Sequence, residues 1–515
     1  MKKFAEVEST RRAYHATPDR NSVHRSATTF PIKQTSLYRT NVTFLNHWKI
    51  KRGILEVGAR HTLRDEGGRR LGQVCFVLDK SKAYSFDLEE VGSAAGVEVL
   101  PGEGTWEVEF FSARNLFIPY PAVIMNTFNR SFFNQVHAYA RTLSDAEEDA
   151  QVNQIQVRES CIDVIIDDET DTFVELINGP TQTDSHVLFT IVDQKGRVIE
   201  RTVPFVTGPH AKRTYLLSKV FGADLPATRL DRTLFIHQPR MEMFFSRVWG
   251  GTIRRVDGAF SANHSYYDNG ATEEYWTITP TVMAHSSKNF PLFEALDLVL
   301  RLYPIMSPCD LVFHVALYDG RGRCLKTVRE VAAVQAGSAR IIEIDLGVLG
   351  RETGARSAEV FVTPRDGDKV PMRIAFQVCY GSGRGLTSSI NISLLSPYVF
   401  APGGKTGKSW FEVVGHPDIE NRVGLYHTAP LPDEEDREVK AVLYRTADES
   451  TLTATLRLHG KQAWSGELDA LFPGYQEFLG GQNGFLYAES GSQFLRGLTI
   501  QTHRKTGHTS GEHSF

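Results

Sequence analysis

Apolar and polar residues alternate with a period of two along many short segments of this chain. Between Thr451 and Leu458, leucine and alanine alternate with threonine and arginine, and a similar alternation runs from Phe313 to Tyr318. Successive side chains of a strand point to opposite faces, so this pattern predicts antiparallel strands with one buried and one solvent-exposed face. The chain is therefore predicted to be all-β.

A hairpin signal recurs at nearly constant spacing. The turn Asp-x-x-Gly-Arg begins at Asp65, Asp193 and Asp319, which are 128 and 126 residues apart. Aspartate accepts hydrogen bonds from its own turn, and glycine takes the positive-φ position of a bulged loop. A degraded fourth copy is assigned to the segment that starts at His459, His-Gly-Lys.

Features of the second half of each unit recur at nearly the same spacing from the turn. An apolar strand starts 37 residues after the turn arginine in three copies, at Trp106, Leu234 and Val360. The position 30 or 31 residues further on is polar in each of these copies, and the last copy has a matching residue: His137, His264, Asn391 and His513. Shared spacing of this kind predicts that one unit is present in four copies.

The repeat predicts four tandem antiparallel β-sandwich modules of about 110–125 residues each, a usual size for this fold. The predicted modules are 41–141, 158–268, 272–396 and 408–515, after a polar basic arm over residues 1–40. Module 3 has an extra apolar segment, Leu292 to Ile305, that is predicted to be helical. Short linkers predict an elongated or curved array. The arm is interpreted as a solvated tail, or alternatively as a docking segment for an acidic partner.

Composition narrows the classes of function. The 515 residues contain 57 Lys and Arg against 61 Asp and Glu, so the basic surplus of a nucleic-acid-binding protein is absent. No apolar run is long enough to span a membrane, and the first residues lack the apolar core of a secretory signal. These features predict a cytoplasmic protein without a nucleic-acid partner or a membrane span, with export by a signal-less route as the alternative.

Two sets of repeated polar residues are the candidate ligand-binding positions. The first set joins the recurring histidine to the aromatic residue that follows it: His137, Tyr139, His264, Tyr266 and His513. The second set is an arginine at one repeated position: Arg247, Arg373 and Arg496. A guanidinium fork suits planar anions, and aromatic rings beside polar side chains suit sugars. The alternative is structural, with histidines bonded to backbone and arginines paired with the turn aspartate.

No metal, no cofactor and no catalytic residue is predicted. Equivalent positions in different modules are expected to lie roughly tens of ångströms apart, too far for the histidines to share one ion. The segment from Gly403 to Ser409 is similar to a phosphate-binding loop, but Pro402 replaces the required first glycine. A predicted strand follows it, so the helix that would hold an anion is missing.

These observations favour a non-catalytic binding or scaffold protein. Repeats provide extended surfaces and avidity, whereas catalysis generally needs one convergent site. The favoured ligand is a glycan or a glycosylated protein, followed by a plain protein partner. Two alternative hypotheses are a carbohydrate- or acyl-group-modifying enzyme with its site at a module junction, and a structural assembly subunit.

Overall fold

The computed structural model describes residues 25–112, 121–137, 140–142, 158–241, 247–267, 275–277, 286–303, 309–336, 340–371, 373–395, 406–428 and 436–515. Regular structure in these ranges is mostly antiparallel strand, so the predicted all-β fold is confirmed. None of the helices in these ranges is long and apolar enough to cross a membrane.

The described part of sandwich 1 contains nine strands and two short helices. Its strands are β1 (Arg25–Lys33), β2 (Arg39–Leu45), β3 (Val57–Asp65), β4 (Arg70–Leu78), β5 (Ala83–Asp87), β6 (Glu103–Phe111), β7 (Ile124–Phe128), β8 (Phe133–His137) and β9 (Ala140–Thr142). Helix α1 (His47–Arg52) follows β2, and α2 (Leu88–Ala94) follows β5. One sheet has the order β4-β3-β6-β1-β9, and the facing sheet has the order β5-β2-β7-β8.

Sandwich 2 repeats this arrangement. Its strands are β10 (Arg158–Ser160), β11 (Asp163–Ile166), β12 (Thr170–Ile177), β13 (Thr183–Asp193), β14 (Val198–Thr207), β15 (Lys212–Leu216), β16 (Thr228–His237), β17 (Trp249–Arg254), β18 (Phe260–His264) and β19 (Tyr266–Tyr267). Helix α3 (Leu217–Phe221) and a 3-10 turn (Gly222–Asp224) follow β15. The sheets are β14-β13-β16-β10-β19, with β11 also beside β16, and β15-β12-β17-β18.

Sandwich 3 joins its two sheets into one of eight strands, ordered β24-β23-β26-β21-β29-β28-β22-β25. A separate small sheet pairs β20 (Tyr275–Thr277) with β27 (Lys369–Pro371). The eight strands are β21 (Ser286–Pro291), β22 (Asp297–Leu302), β23 (Leu311–Tyr318), β24 (Cys324–Val334), β25 (Ile342–Asp345), β26 (Ser357–Pro364), β28 (Arg373–Gly381) and β29 (Ile390–Leu395). Helix α4 (Leu346–Thr353) starts at Asp345, whose side chain caps the Val348 amide, and ends at Gly354 with φ of 70°.

Sandwich 4 has two four-stranded sheets, β30-β35-β32-β33 and β34-β31-β36-β37. Its strands are β30 (Gly407–Val413), β31 (Ile419–His427), β32 (Asp436–Arg445), β33 (Thr451–His459), β34 (Ala463–Glu467), β35 (Gly484–Ser490), β36 (Leu495–His503) and β37 (Thr509–His513). Helices α5 (Leu468–Leu471) and α6 (Tyr475–Leu479) follow β34. Because β30 starts at Gly407, the loop-like glycine segment continues into a strand, as predicted.

All four sandwiches share one order of eight strands. Equivalent strands are called the first to the eighth strand, in the order of β1–β8 in sandwich 1. In each, the first, sixth, third and fourth strands form one side, and the fifth, second, seventh and eighth form the other. Matching eighth strands are β8, β18, β29 and β37. The predicted repeat therefore has the same topology in every copy.

The predicted Asp-x-x-Gly-Arg turns join the third and fourth strands in three sandwiches. In each, the aspartate Oδ1 accepts from the arginine amide, at 2.9, 2.9 and 3.0 Å for Asp65, Asp193 and Asp319. The fourth copy was wrongly placed at His459, which lies at the end of the fourth strand. Asp448 holds the true turn of sandwich 4 by accepting from the Ser450 amide at 2.8 Å.

Three further predictions are wrong. Residues 25–33 do not belong to an arm, because β1 pairs along its whole length with β6. The predicted helix from Leu292 to Ile305 contains β22 instead, which pairs with both β25 and β28. The position equivalent to Trp106 in sandwich 3 is Ala358 rather than Val360, since Trp106 and Ala358 pair with third-strand residues two places before the turn aspartate.

The four sandwiches close into a ring. Lys33 of sandwich 1 binds Glu175 of sandwich 2 at 2.6 Å, and Arg301 of sandwich 3 binds Asp163 of sandwich 2 at 2.5 Å. Two more contacts complete the circle: Lys461 to Glu359 at 2.9 Å between sandwiches 4 and 3, and Thr43 to Glu412 at 2.6 Å between sandwiches 1 and 4. Of the two expected shapes, an elongated or a curved array, the elongated one is therefore wrong, and closure of the curve was not predicted. Head-to-tail contacts close when the rotation between successive units adds up to a full turn.

Candidate functional site

The repeated polar position occupies the same strand register in every sandwich. It is the last residue of the eighth strand in sandwiches 1, 2 and 4 and the second residue of that strand in sandwich 3. In each sandwich it lies directly opposite one residue of the seventh strand, which lies opposite one residue of the second. The four rows are Thr43–Ile124–His137, Glu175–Trp249–His264, Arg301–Gln377–Asn391 and Gly424–Leu498–His513. The equivalence predicted from spacing is thus matched in the backbone.

These four equivalent positions meet at the centre of the ring. The Nε2 atoms of His137 and His264 are 3.2 Å apart, and the ring centroids of His137 and His513 are 4.7 Å apart. Asn391 Nδ2 donates to the His264 carbonyl at 2.5 Å. The expectation that these positions lie a module apart is wrong, because ring closure turns the eighth strands of all four sandwiches toward one another.

Two of the histidines have the same proton arrangement. His264 Nδ1 lies 2.7 Å from the Ser265 carbonyl, and His513 Nδ1 lies 3.0 Å from the Ser514 carbonyl. A carbonyl oxygen only accepts, so Nδ1 carries the proton in both rings and Nε2 of the neutral ring keeps a lone pair. The predicted alternative of an imidazole bonded to backbone thus describes both residues.

A buried carboxylate lies beside them. Glu512 is 0% exposed, and its two oxygens accept from the backbone amides of His137 at 3.2 Å and His513 at 2.9 Å. Its Oε2 is also 2.9 Å from His137 Nδ1. Burial acts to raise the pKa of Glu512, but His137 and His513 lower it overall. Sequence reasoning missed this residue, although it directly precedes a histidine that was singled out.

The three predicted arginines do not form one set. Arg247 and Arg496 each lie two residues before the row position of the seventh strand, whereas Arg373 lies four before it and Ala375 takes the equivalent place. Arg247 donates to Glu159 at 3.1 Å, so its partner is not the turn aspartate, Asp193.

Of the two tyrosines predicted to contribute to ligand binding, the structure describes Tyr266. The Tyr266 ring lies under the Arg247 guanidinium at 4.8 Å, and Tyr139 lies outside the described residues. The aromatic-rich segment Phe128–Phe133 also mixes rings with polar residues, a pattern that favours sugar binding, but Phe132 and Phe133 are buried. The buried rings are therefore not available to stack on a sugar.

The centre of the ring holds bases whose protonated forms are disfavoured. Burial first, and then His137 and Arg247, lower the pKa of His264 well below its usual range. Burial lowers the pKa of His513 to about 4, and burial together with Arg496 lowers the pKa of Lys288 to about 7. Neutral imidazoles beside a charged carboxylate are ligands for a cation, so this arrangement differs from the predicted anion clamp.

A second group of polar contacts lies where the first strand of one sandwich meets the second strand of the next. Asp163 binds Arg301, and Glu412 accepts from Thr43 and from Asn126 at 2.6 and 2.9 Å. Asp163 starts β11, which pairs with the sixth strand β16 as β10 does, and Glu412 lies on the first strand β30, so both belong to even-numbered sandwiches and face odd-numbered ones. The module junctions are thus held by buried polar groups as well as by apolar packing.

No protein-family model matches this chain. No curated protein matches it either. A calcium-binding mutant of β-glucuronidase 2 from Bacteroides uniformis is 9% identical over 50% of this chain and 29% of its own, with a TM-score of 0.12. A tetra-tandem repeat in the extending region of a large adhesion protein is 9% identical over 89% of this chain and 90% of its own, with a TM-score of 0.09.

A glycosyl hydrolase family 2 member from Bacteroides cellulosilyticus DSM 14838 is 10% identical over 65% of this chain and 36% of its own, with a TM-score of 0.12. This chain therefore spans about a third of the length of each of the two glycoside-acting proteins. Such low TM-scores assign neither a fold nor a function.

Proposed function

We propose that this chain is a non-catalytic binding or scaffold protein in which four sandwiches act as one ring-shaped body. The observation that supports this most is the meeting of His137, His264, Asn391 and His513, whose polar groups contact one another at the ring centre. Repeated residues that serve ring closure leave the outer sheets to contact a partner. Buried polar contacts at all four junctions favour fixed rather than independent sandwiches.

The outer face of sandwich 4 carries exposed polar groups that suit the binding of a polar ligand. The fourth strand β33 exposes Thr451, Thr453, Thr455, Arg457 and His459, while the alternate side chains are partly buried or buried. Glu438 and Lys440 of β32 are exposed directly opposite Arg457 and Thr455. A flat strip of hydroxyl and charged groups suits the hydroxyl groups of a glycan or a glycosylated protein, which is the ligand class proposed here.

A plain protein partner is the second candidate, because three valines are exposed on the fourth strands of sandwiches 1 and 2. These are Val77, Val198 and Val206. Exposed β-branched residues on edge strands offer contact area to another protein. This surface is distinct from the threonine strip of sandwich 4, so the two candidates are separable by mutation.

A glycan array with the full chain tests the proposal. We expect glycan binding that is lost in the double variant T453K/T455K and retained in T202K, a matched change on the exposed face of β14. Glycan binding that survives T453K/T455K would overturn the threonine strip as the binding surface, and the absence of any glycan binding by the wild type would favour the plain protein partner instead. Hydrolysis of aryl glycosides or aryl esters that is abolished by H513Q would overturn the non-catalytic proposal.

A further inference from the structure

The hydrogen bonds around His137 determine where its proton lies. His264 donates through Nδ1 to the Ser265 carbonyl, so its Nε2 is an acceptor. The atom 3.2 Å from that acceptor is His137 Nε2, which therefore carries a proton. In its neutral form, His137 then has a lone pair on Nδ1, the atom that lies 2.9 Å from Glu512 Oε2.

This close approach is not a hydrogen bond. The buried Nδ1 of His137 has no partner among the described residues that meets the distance and angle of a hydrogen bond. Neutral Nδ1 and ionised Glu512 are both acceptors, which repel at this distance. Two ligands of one metal ion have this relationship, since each is directed at the ion and not at the other ligand.

His513 adds a third ligand atom. Its Nδ1 donates to the Ser514 carbonyl, and its free Nε2 lies 3.8 Å from Glu512 Oε1. One ligand atom from each of His137, Glu512 and His513 lies within 4.8 Å of the others. Zinc–ligand bonds of about 2.0–2.1 Å in a tetrahedron separate neighbouring ligand atoms by about 3.3 Å. His137 Nδ1 lies 2.9 Å from Glu512 Oε2 and His513 Nε2 lies 3.8 Å from Glu512 Oε1, so each imidazole is near this spacing from one carboxylate oxygen.

We propose that His137 Nδ1, His513 Nε2 and the Glu512 carboxylate bind a divalent transition-metal ion of the zinc class at the centre of the ring. Imidazole with one carboxylate suits zinc, cobalt and nickel better than magnesium or calcium, which take mainly oxygen ligands. The surrounding bonds are those of outer-shell groups: Ser514 and His264 orient the two ligand rings, and two backbone amides hold Glu512.

The ion would connect the two ends of the ring. His137 belongs to sandwich 1, whereas Glu512 and His513 belong to sandwich 4, so binding ties the first sandwich to the last. Access is from the side of His513, whose side chain is 30% exposed. Three protein ligands leave one coordination position open for water. This site goes beyond the proposed binding by the outer sheets and does not depend on it.

Cobalt titration of the chelator-treated full chain tests the site. We expect one Co²⁺ per chain with the visible absorption of tetrahedral cobalt, displaced by Zn²⁺ and unaffected by Mg²⁺. The spectrum is expected to persist in H459Q and to vanish in H513Q and in E512Q. His459 is a matched control, because this exposed imidazole also lies 2.9 Å from a carboxylate, that of Asp436.

A second measurement needs no variant. X-ray absorption of the zinc-loaded wild type is expected to show two imidazole nitrogens and oxygen in the first shell. Sulfur in that shell would place the ion on cysteine and overturn the proposal. An unchanged cobalt spectrum in H513Q would also overturn it, as would a wild-type chain that binds no Co²⁺, in which case a protonated His137 paired with Glu512 explains the contact.

Discussion

His137 and His264 occupy the same position in neighbouring sandwiches, 127 residues apart in sequence, and their Nε2 atoms are 3.2 Å apart. Two neutral rings satisfy this contact with one proton between them, whereas two imidazolium rings would bring two protons and two positive charges together. Ring closure is therefore coupled to the protonation state of histidine, and acid is expected to act on it.

We expect the chain to lose stability as the pH falls below about 6.5, the ordinary histidine pKa. Burial lowers the pKa of His47, His61 and His508 to about 3. The unfolded chain thus binds more protons than the native chain between pH 3 and 6.5, so stability rises with pH there and is lost on acidification. At pH 5 each such histidine destabilises the fold by about 2 kcal/mol.

Urea unfolding at pH 5 and pH 7.5 measures this effect. The variant H47F keeps a ring against Trp410, which is stacked on His47 with centroids 4.9 Å apart, and removes one titrating group. Its stability is expected to fall less steeply with acid than that of the wild type. Equal slopes for the two proteins would contradict the assignment of His47 as a buried neutral ring.

Glu412 is expected to have the opposite pH dependence. Burial raises its pKa to about 7, so the native chain holds a proton that the unfolded chain has lost, and stability falls as the pH rises from about 4.5 to 7. Glutamine in E412Q retains an oxygen that accepts from Thr43, Asn126 and Asn483.

The variant E412Q is therefore expected to be more stable than the wild type by about 3 kcal/mol at pH 8 and by about 1 kcal/mol at pH 5. Thermal unfolding at both pH values measures the difference. E438Q, a change of an exposed glutamate in the same sandwich, should leave the melting temperature unchanged. A loss of stability in E412Q at pH 8 would show that the ionised carboxylate is preferred at this junction.

The repeat was predictable from the sequence because turn chemistry and strand period are local. The Asp65 turn and the polar position at His137 can be located by counting, and the register of strands confirms their equivalence. The closed ring was not predictable, because it depends on the rotation between successive sandwiches, which contacts such as that of Asp163 with Arg301 determine.

The candidate site was likewise only partly predictable from the sequence. His137, His264 and His513 were identified by their repeated spacing, but their convergence required the ring. Glu512 has no counterpart among the residues before the other two histidines, which are Val136 and Asn263. A search limited to repeated residues therefore passed over it. The apolar segment around β22 was mistaken for a helix because both faces of this strand are largely buried, which removes the period of two.

The junction between sandwiches 2 and 3 is expected to depend strongly on Arg301. This guanidinium binds Asp163 at 2.5 Å and Glu343 at 2.8 Å, and its side chain is 10% exposed. The variant R301M leaves Asp163 buried without its cation, which is expected to destabilise the fold by about 3–5 kcal/mol. Denaturant unfolding measures this loss.

Arg197, whose side chain is 73% exposed and bonds Asp193, provides the control. R197M removes a guanidinium that also binds an aspartate, but in solvent, where screening and side-chain entropy leave little net stabilisation. Its midpoint should stay close to that of the wild type. If R301M were as stable as R197M, the junction would be maintained by apolar packing alone.

The turns that join third and fourth strands are expected to differ in tolerance to a methyl group. Gly196 and Gly322 occupy the same turn position, with φ of 77° and 79°. A Cβ at Gly196 would meet no atom within 4 Å, whereas one at Gly322 would lie 2.7 Å from the Gln462 amide nitrogen and 2.8 Å from the His459 carbonyl. Only the second turn packs against the next sandwich.

Alanine at either position introduces the strain of a left-handed residue, about 1 kcal/mol. G322A must in addition displace the backbone of sandwich 4, so it is expected to lower the melting temperature by clearly more than G196A. The difference between the two variants isolates the contact between sandwiches 3 and 4, because the conformational strain is common to both. Equal melting temperatures would mean that this hairpin does not contact sandwich 4 in solution, and the ring would then be open at that junction.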